Sequence, residues 1–181
     1  MFFDANASSG AADFGDLPEW DLTDLYPSTD AKELKRDLDW LEQACSSFAT
    51  NYDGKLKGLD TKEFLEAVQK YEKIDTIAGR IMSFAGLRYY QKTTDPDRAK
   101  FMSDCQDKIT TFTTPLVFWS LEINRLEDDH MYALFASSSD LARYKPVFDR
   151  LRTMKPYQLS DELEKFLHDQ SVVGSSAWNK L

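Results

Sequence analysis

An all-α fold follows from three features of the sequence. Seven glycines and six prolines in 181 residues favour long uninterrupted elements over strands and turns. Apolar residues recur at three- and four-residue spacing over long windows, without strand-like alternation. Capping residues stand where those windows begin. Apolar residues at 42% and charged residues at 29% describe an ordinary soluble chain, long enough to bury a core as one domain.

Residues 1–17 are rich in Ala, Ser, Gly and Asp and read as a flexible tail. No basic residue precedes an apolar run there, so the stretch is not a secretory signal. Trp20, Leu22, Leu25 and Tyr26 form an apolar extended segment, expected to lie across another element as an anchor. Asp30 and Glu33 resemble a helix start, and Leu34, Leu38, Leu41, Cys45 and Phe48 then mark one face of a helix over about 30–50. Gly54 and Gly58 place a loop in the following ten residues.

Asp60 and Glu63 repeat the start signal. Phe64, Val68, Tyr71, Ile74, Ile77, Ala78, Ile81, Phe84 and Ala85 continue as a stripe to about Gln91. Such a helix is on the order of 45 Å long. Gly79 and Gly86 within it would permit close approach of a neighbour. Asp95 then caps a second arm with Pro96 at its first position, where the missing N–H costs nothing. Ala99, Met102, Cys105, Ile109 and Phe112 form its stripe. The short link predicts an antiparallel hairpin with Ile74, Ile81, Met102, Cys105 and Ile109 buried.

Pro115 should break the second arm near Thr111. Leu116 to Leu121 is apolar on nearly all sides; a strand is compatible with it, but a buried helix suits the neighbourhood better. Helices follow over about 128–136, 139–154 with a distortion at Pro146, and 161–172. Ser175 or Ser176 can cap a further helix with Ala177, Trp178 and Leu181 as its first apolar residues. It stops within its first turns, which suggests a shortened chain. The expected map is a tail at 1–17, a helical N-terminal domain at 18–174, and the start of a truncated helix at 175–181.

The net charge of -9 without a Lys/Arg cluster argues against nucleic acid. No stretch approaches the about 20 apolar residues of a membrane span, so a cytoplasmic protein is expected. Cys45 and Cys105 occupy apolar helical positions at no metal or redox spacing and read as buried thiols.

Several segments, in order, resemble oligoendopeptidase F of the thimet-type zinc oligopeptidases. The first is Pro18-Glu19-Trp20-Asp21-Leu22-Thr23-Asp24-Leu25-Tyr26-Pro27-Ser28. Thr93-Thr94-Asp95-Pro96 resembles the turn between that family's long N-terminal helices. Leu141-Ala142-Arg143-Tyr144, Leu151-Arg152 and Leu159-Ser160-Asp161-Glu162-Leu163-Glu164-Lys165 follow, then Ser176-Ala177-Trp178-Asn179-Lys180-Leu181. Tyr157 departs from the family, standing where many relatives have histidine.

The resemblance implies a mostly helical enzyme whose two halves enclose a channel admitting short peptides. Its zinc ligands and catalytic glutamate lie in the C-terminal half, on an HExxH helix. This sequence has no HExxH and only two histidines, His130 and His168. The resemblance therefore implies zinc in the parent and none here, oligopeptide substrates reached through the parent, and a C-terminal catalytic half as partner. This chain would contribute channel wall and gate. The alternative is a stand-alone helical interaction module, using the hairpin or the C-terminal end.

Single residues mostly favour structural roles. A hydrolytic zinc needs three protein ligands, and the two histidines lie thirty-eight residues apart on different predicted helices. Glu127, Asp128 and Asp129 read as complements to a helix dipole, and His168 as a solvated histidine. Asp128 and Asp129, adjacent on a helix, do not face one another for acid/base work. Ser137, Ser138 and Ser139 read as caps. No residue is assigned to catalysis or to metal. Arg88, Tyr89 and Tyr90, near the hairpin tip, are the candidate peptide contacts; the alternative is a packed hairpin end with a snorkelling arginine. Trp119, Val172, Val173, Trp178 and Leu181 are expected to pack on the missing half, so self-association through that end, or a frayed and mobile terminus after Gly174, is expected.

Overall fold

The computed structural model describes residues 19–178 of the 181. All regular elements among them are helical. α1 (Lys32–Tyr52), α2 (Thr61–Gln91) and α3 (Pro96–Thr113) form the long framework. α4 (Val117–Arg125), α5 (Asp128–Ser137), α6 (Ser139–Ala142), α7 (Lys145–Arg152), α8 (Asp161–Gln170) and α9 (Ser175–Trp178) follow as shorter pieces.

The α2 start follows the sequence reading closely. Asp60 accepts from the Glu63 N–H at 2.8 Å, and the Glu63 carboxylate accepts from the Asp60 N–H at 3.1 Å. Asp95 likewise accepts from the N–H groups of Asp97 and Arg98 at the α3 start. α1 differs: Ala31 occupies its N-cap without a side-chain cap bond. Asp30 instead takes a hydrogen bond from Ser28, which holds its carboxyl below the usual range.

α2 and α3 fold back on each other as the expected hairpin. Phe84 meets Phe101 edge-on at 6.0 Å, and Arg98 donates to the Arg88 carbonyl at 3.0 Å. Ile74, Ile81 and Cys105 are buried, whereas Met102 and Ile109 are only half-buried, because α3 lies at the edge of the core. α1 runs antiparallel to α2, pairing Asp37 with Arg80 near one end and Phe48 with Tyr71 nearer the other. Neither α2 glycine is needed for close packing. A Cβ on Gly79 would meet open space, and one on Gly86 only Tyr90 of the same helix.

The segment before α1 is a tight turn rather than an extended strap, with the Leu25 and Tyr26 N–H groups donating to the Leu22 carbonyl. Tyr26 is buried, and its hydroxyl donates to Asp37 Oδ2 at 2.9 Å. Arg80 lies 4.4 Å from the centre of the Tyr26 ring and donates to the Leu25 carbonyl. Leu22 and Leu25 pack partly against the core. Trp20, expected to join this anchor, is instead 76% exposed.

Pro115 breaks the chain later than Thr111. α3 continues to Thr113, where the Thr113 and Thr114 hydroxyls return bonds of 2.8 Å to the Ile109 and Thr110 carbonyls. A 3-10 turn at Thr114–Leu116 then leads into α4, confirming a buried helix for the apolar run. Trp119, expected at an interface with a missing half, is instead a core residue. Its ring meets those of Tyr71, Phe48 and Phe64 at 5.0, 5.4 and 6.2 Å. The distortion at Pro146 is a full break, dividing the expected helix over 139–154 into α6 and α7.

Two polar staples hold the short helices to the framework. Glu122 accepts from the N–H groups of Gly54 and Leu56, fixing the α1–α2 turn, where Gly54 takes φ +75°. Arg152 donates to the carbonyls of Ile123 and Leu126 and to Asp128, tying α7 across the end of α4. The sequence contains no local signal for either, because each partner lies far away in the chain.

Candidate functional site

The expected peptide contacts lie at the hairpin end with different environments. Arg88 is half-buried, its guanidinium 5.7 Å from the centre of the Phe84 ring one turn earlier. Its Nε is buried without a hydrogen-bond partner among the described residues. Tyr89 is half-buried, Tyr90 is 68% exposed, and their rings are 5.4 Å apart. Gln91 binds the Trp20 carbonyl at 3.2 Å, bringing the N-terminal signature to the same end. The result is an aromatic, solvent-facing tip with two half-buried arginines, Arg88 and Arg98.

The opposite region carries a larger feature. α8 is amphipathic, yet none of its residues is fully buried. Its attachments to the body include polar ones: Arg125 with Asp161, Thr113 with His168 at 3.3 Å, and Thr114 donating to Asp169 at 2.6 Å. Leu163, Phe166 and Leu167, at helical spacing, are exposed, Phe166 to 57%. Leu159, Val173 and Trp178 extend the same apolar character along the chain, the last at 74% exposure. An apolar helical face left in water marks an interaction surface. Val172, expected with them, is half-buried, and Leu181 lies outside the described residues, as do the tail at 1–17 and Pro18.

His168 is not on the solvated side of its helix; it packs against Thr113. His130 lies on α5, its Nε2 buried without a partner among the described residues. Asp128 and Asp129 occupy the first turn of α5, as a helix dipole favours, but Glu127 at the N-cap makes no side-chain cap bond. Ser138 does cap α6, accepting from the Leu141 N–H at 3.2 Å. Among the described residues no three His, Cys, Asp or Glu side chains come together as a metal site.

Cys45 and Cys105 are both buried, and burial pushes each thiol up to about 11. Folding thus favours the protonated form. Stability from this source is full below the ordinary thiol value of 9.0 and is lost as pH rises toward about 11. We expect the folded chain to react slowly with a thiol-specific disulfide reagent at pH 8, and both thiols to react at once in denaturant. Rapid native labelling of two thiols would contradict this burial.

Fold and surface together define a class: an all-helical hairpin scaffold with an exposed apolar face on α8. Comparison with known proteins makes this specific. Residues 122–181 match a family model described as Oligopeptidase F. The chain is 26% identical over 165 residues to Oligopeptidase PepF of Bacillus subtilis, covering 87% of this chain and 23% of that protein. It is 22% identical over 160 residues to Group B oligopeptidase PepB of Streptococcus agalactiae, covering 88% and 26%. Its fold matches oligoendopeptidase-F from Enterococcus faecium with a TM-score of 0.74 at 18% identity, over 84% of this chain and 29% of that one. The chain is thus similar to the N-terminal region of oligoendopeptidase F, and spans about a quarter of the length of these curated relatives. No helix among the described residues is long and apolar enough to cross a membrane.

Proposed function

We propose that this chain forms the channel-wall and substrate-gating region of a cytoplasmic zinc metalloendopeptidase that hydrolyses oligopeptides, and that it is itself non-catalytic. The unit is the helical domain at 18–174, with 175–181 opening the next helix. The carrying observation is the unpartnered apolar face of α8, in a chain that spans only 23% of a relative named as an oligopeptidase. In this reading that face packs on a catalytic half supplying the zinc, which would activate water for attack on a peptide carbonyl. Arg88, Tyr89 and Tyr90 would meet the peptide at the hairpin tip. Without the other half, two copies would associate through α8 at high concentration.

The purified chain should hold far less than one zinc and leave a quenched fluorescent peptide intact. One tightly bound zinc per chain, with chelator-sensitive hydrolysis, would overturn its non-catalytic assignment.

A further inference from the structure

A pocket lies between α1 and α2, sharing no lining residue with the hairpin tip or α8. It measures about 270 Å3, floored by Phe48, Ile74 and Ala44 and walled by Trp40. Its polar rim is Lys70, Lys73, Tyr52, Ser47 and Asn51, with no carboxylate among the lining residues. That is unusual in a chain with 31 acidic and 22 basic residues. Lys73 Nζ stands 4.9 Å from the centre of the Trp40 ring. Lys70 Nζ stands 5.3 Å from that of Tyr52 and donates to its hydroxyl at 2.9 Å.

Neither ammonium forms an ion pair among the described residues. Glu66, one turn before Lys70, favours its charged form only weakly, after the Tyr52 hydrogen bond. Two like charges at i and i+3 on one helix face repel each other, and a bound anion relieves that repulsion. With its oxygen accepting from Lys70, the Tyr52 hydroxyl keeps its own proton free to donate. Cationic donors thus rim an apolar floor of a size suited to one small group.

We propose that this pocket binds a small apolar carboxylate, its hydrocarbon on Phe48, Ile74 and Trp40 and its carboxylate between Lys70 and Lys73. The same chemistry is offered by the C-terminal residue of an apolar peptide and by a short acyl acid. The inference does not rest on the peptidase reading.

The test is an NMR titration of the 181-residue chain with 3-phenylpropionate and, separately, its neutral counterpart 3-phenylpropan-1-ol. The acid should shift the Trp40 indole N–H and the Ser47 and Asn51 signals saturably. The alcohol should bind at least about tenfold more weakly, as should the acid to K70M/K73M, which keeps an apolar stem at each position and should melt at the wild-type temperature. Titration with N-acetylphenylalanine and with octanoate then distinguishes a peptide terminus from an acyl acid by which binds more tightly. Equal binding of acid and alcohol, undiminished binding to K70M/K73M, shifts confined to other surfaces, or no binding of any of these acids overturns the proposal.

Discussion

Replacing Ile81 with Asp is expected to abolish the cooperative unfolding transition of this chain. Ile81 is 0% exposed on the α2 face that packs into the core. A carboxylate there would either ionise without a partner or take up a proton in an apolar site. Either course costs several kcal/mol, a large part of the about 5–15 kcal/mol that stabilises a typical domain. Ser83→Asp, two residues along on the exposed side of the same helix, should leave the melting temperature nearly unchanged. Thermal unfolding by circular dichroism compares the two. Equal melting temperatures for wild type and Ile81→Asp would remove α2 from the centre of the fold.

Trp119→Ala should be nearly as severe. The indole fills the junction where α1, α2 and α4 meet, in contact with Phe48, Phe64 and Tyr71. Truncation removes a large buried ring and leaves a cavity that the crossing helices cannot close. A loss of about 3–5 kcal/mol is expected, read as a lowered urea midpoint at unchanged slope. A change below about 1 kcal/mol would return Trp119 to the interface with a missing half that the sequence reading expected.

That residue illustrates what the sequence could and could not disclose. Helices that open on their own caps were legible to the residue: Asp60 with Glu63 for α2, and Asp95 with Pro96 for α3. α1 was legible from its apolar stripe, but its start was not, since Ala31 has no side chain able to cap. Trp119 sits in a run apolar on every side, where periodicity gives no direction, so only the tertiary contacts assign it to the core. Glu122 and Arg152 bind main-chain groups more than twenty residues away, beyond the reach of any local pattern. Lys70 and Lys73 carried no signal in the sequence, because Tyr52 and Trp40, which they meet, lie on α1. The candidate peptide contacts were legible as an aromatic tip but not as to burial, which separates packed Arg88 from open Tyr90. For α8 the sequence gave a helix over about 161–172, yet only the fold reveals that Leu163, Phe166 and Leu167 face water.

The exposed α8 face carries the functional account, so its partner is the most direct test. The 181-residue chain should be mixed with the polypeptide encoded after residue 181 in its gene, expressed separately, and the pair assayed on a quenched fluorescent peptide. The account predicts a stable complex with chelator-sensitive hydrolysis that neither part shows alone. It also predicts loss of complex and activity with Leu163→Glu and Phe166→Glu together, at unchanged melting temperature of the chain. No HExxH-bearing polypeptide after residue 181, no complex, or a complex indifferent to those two substitutions would contradict it and favour a stand-alone helical module.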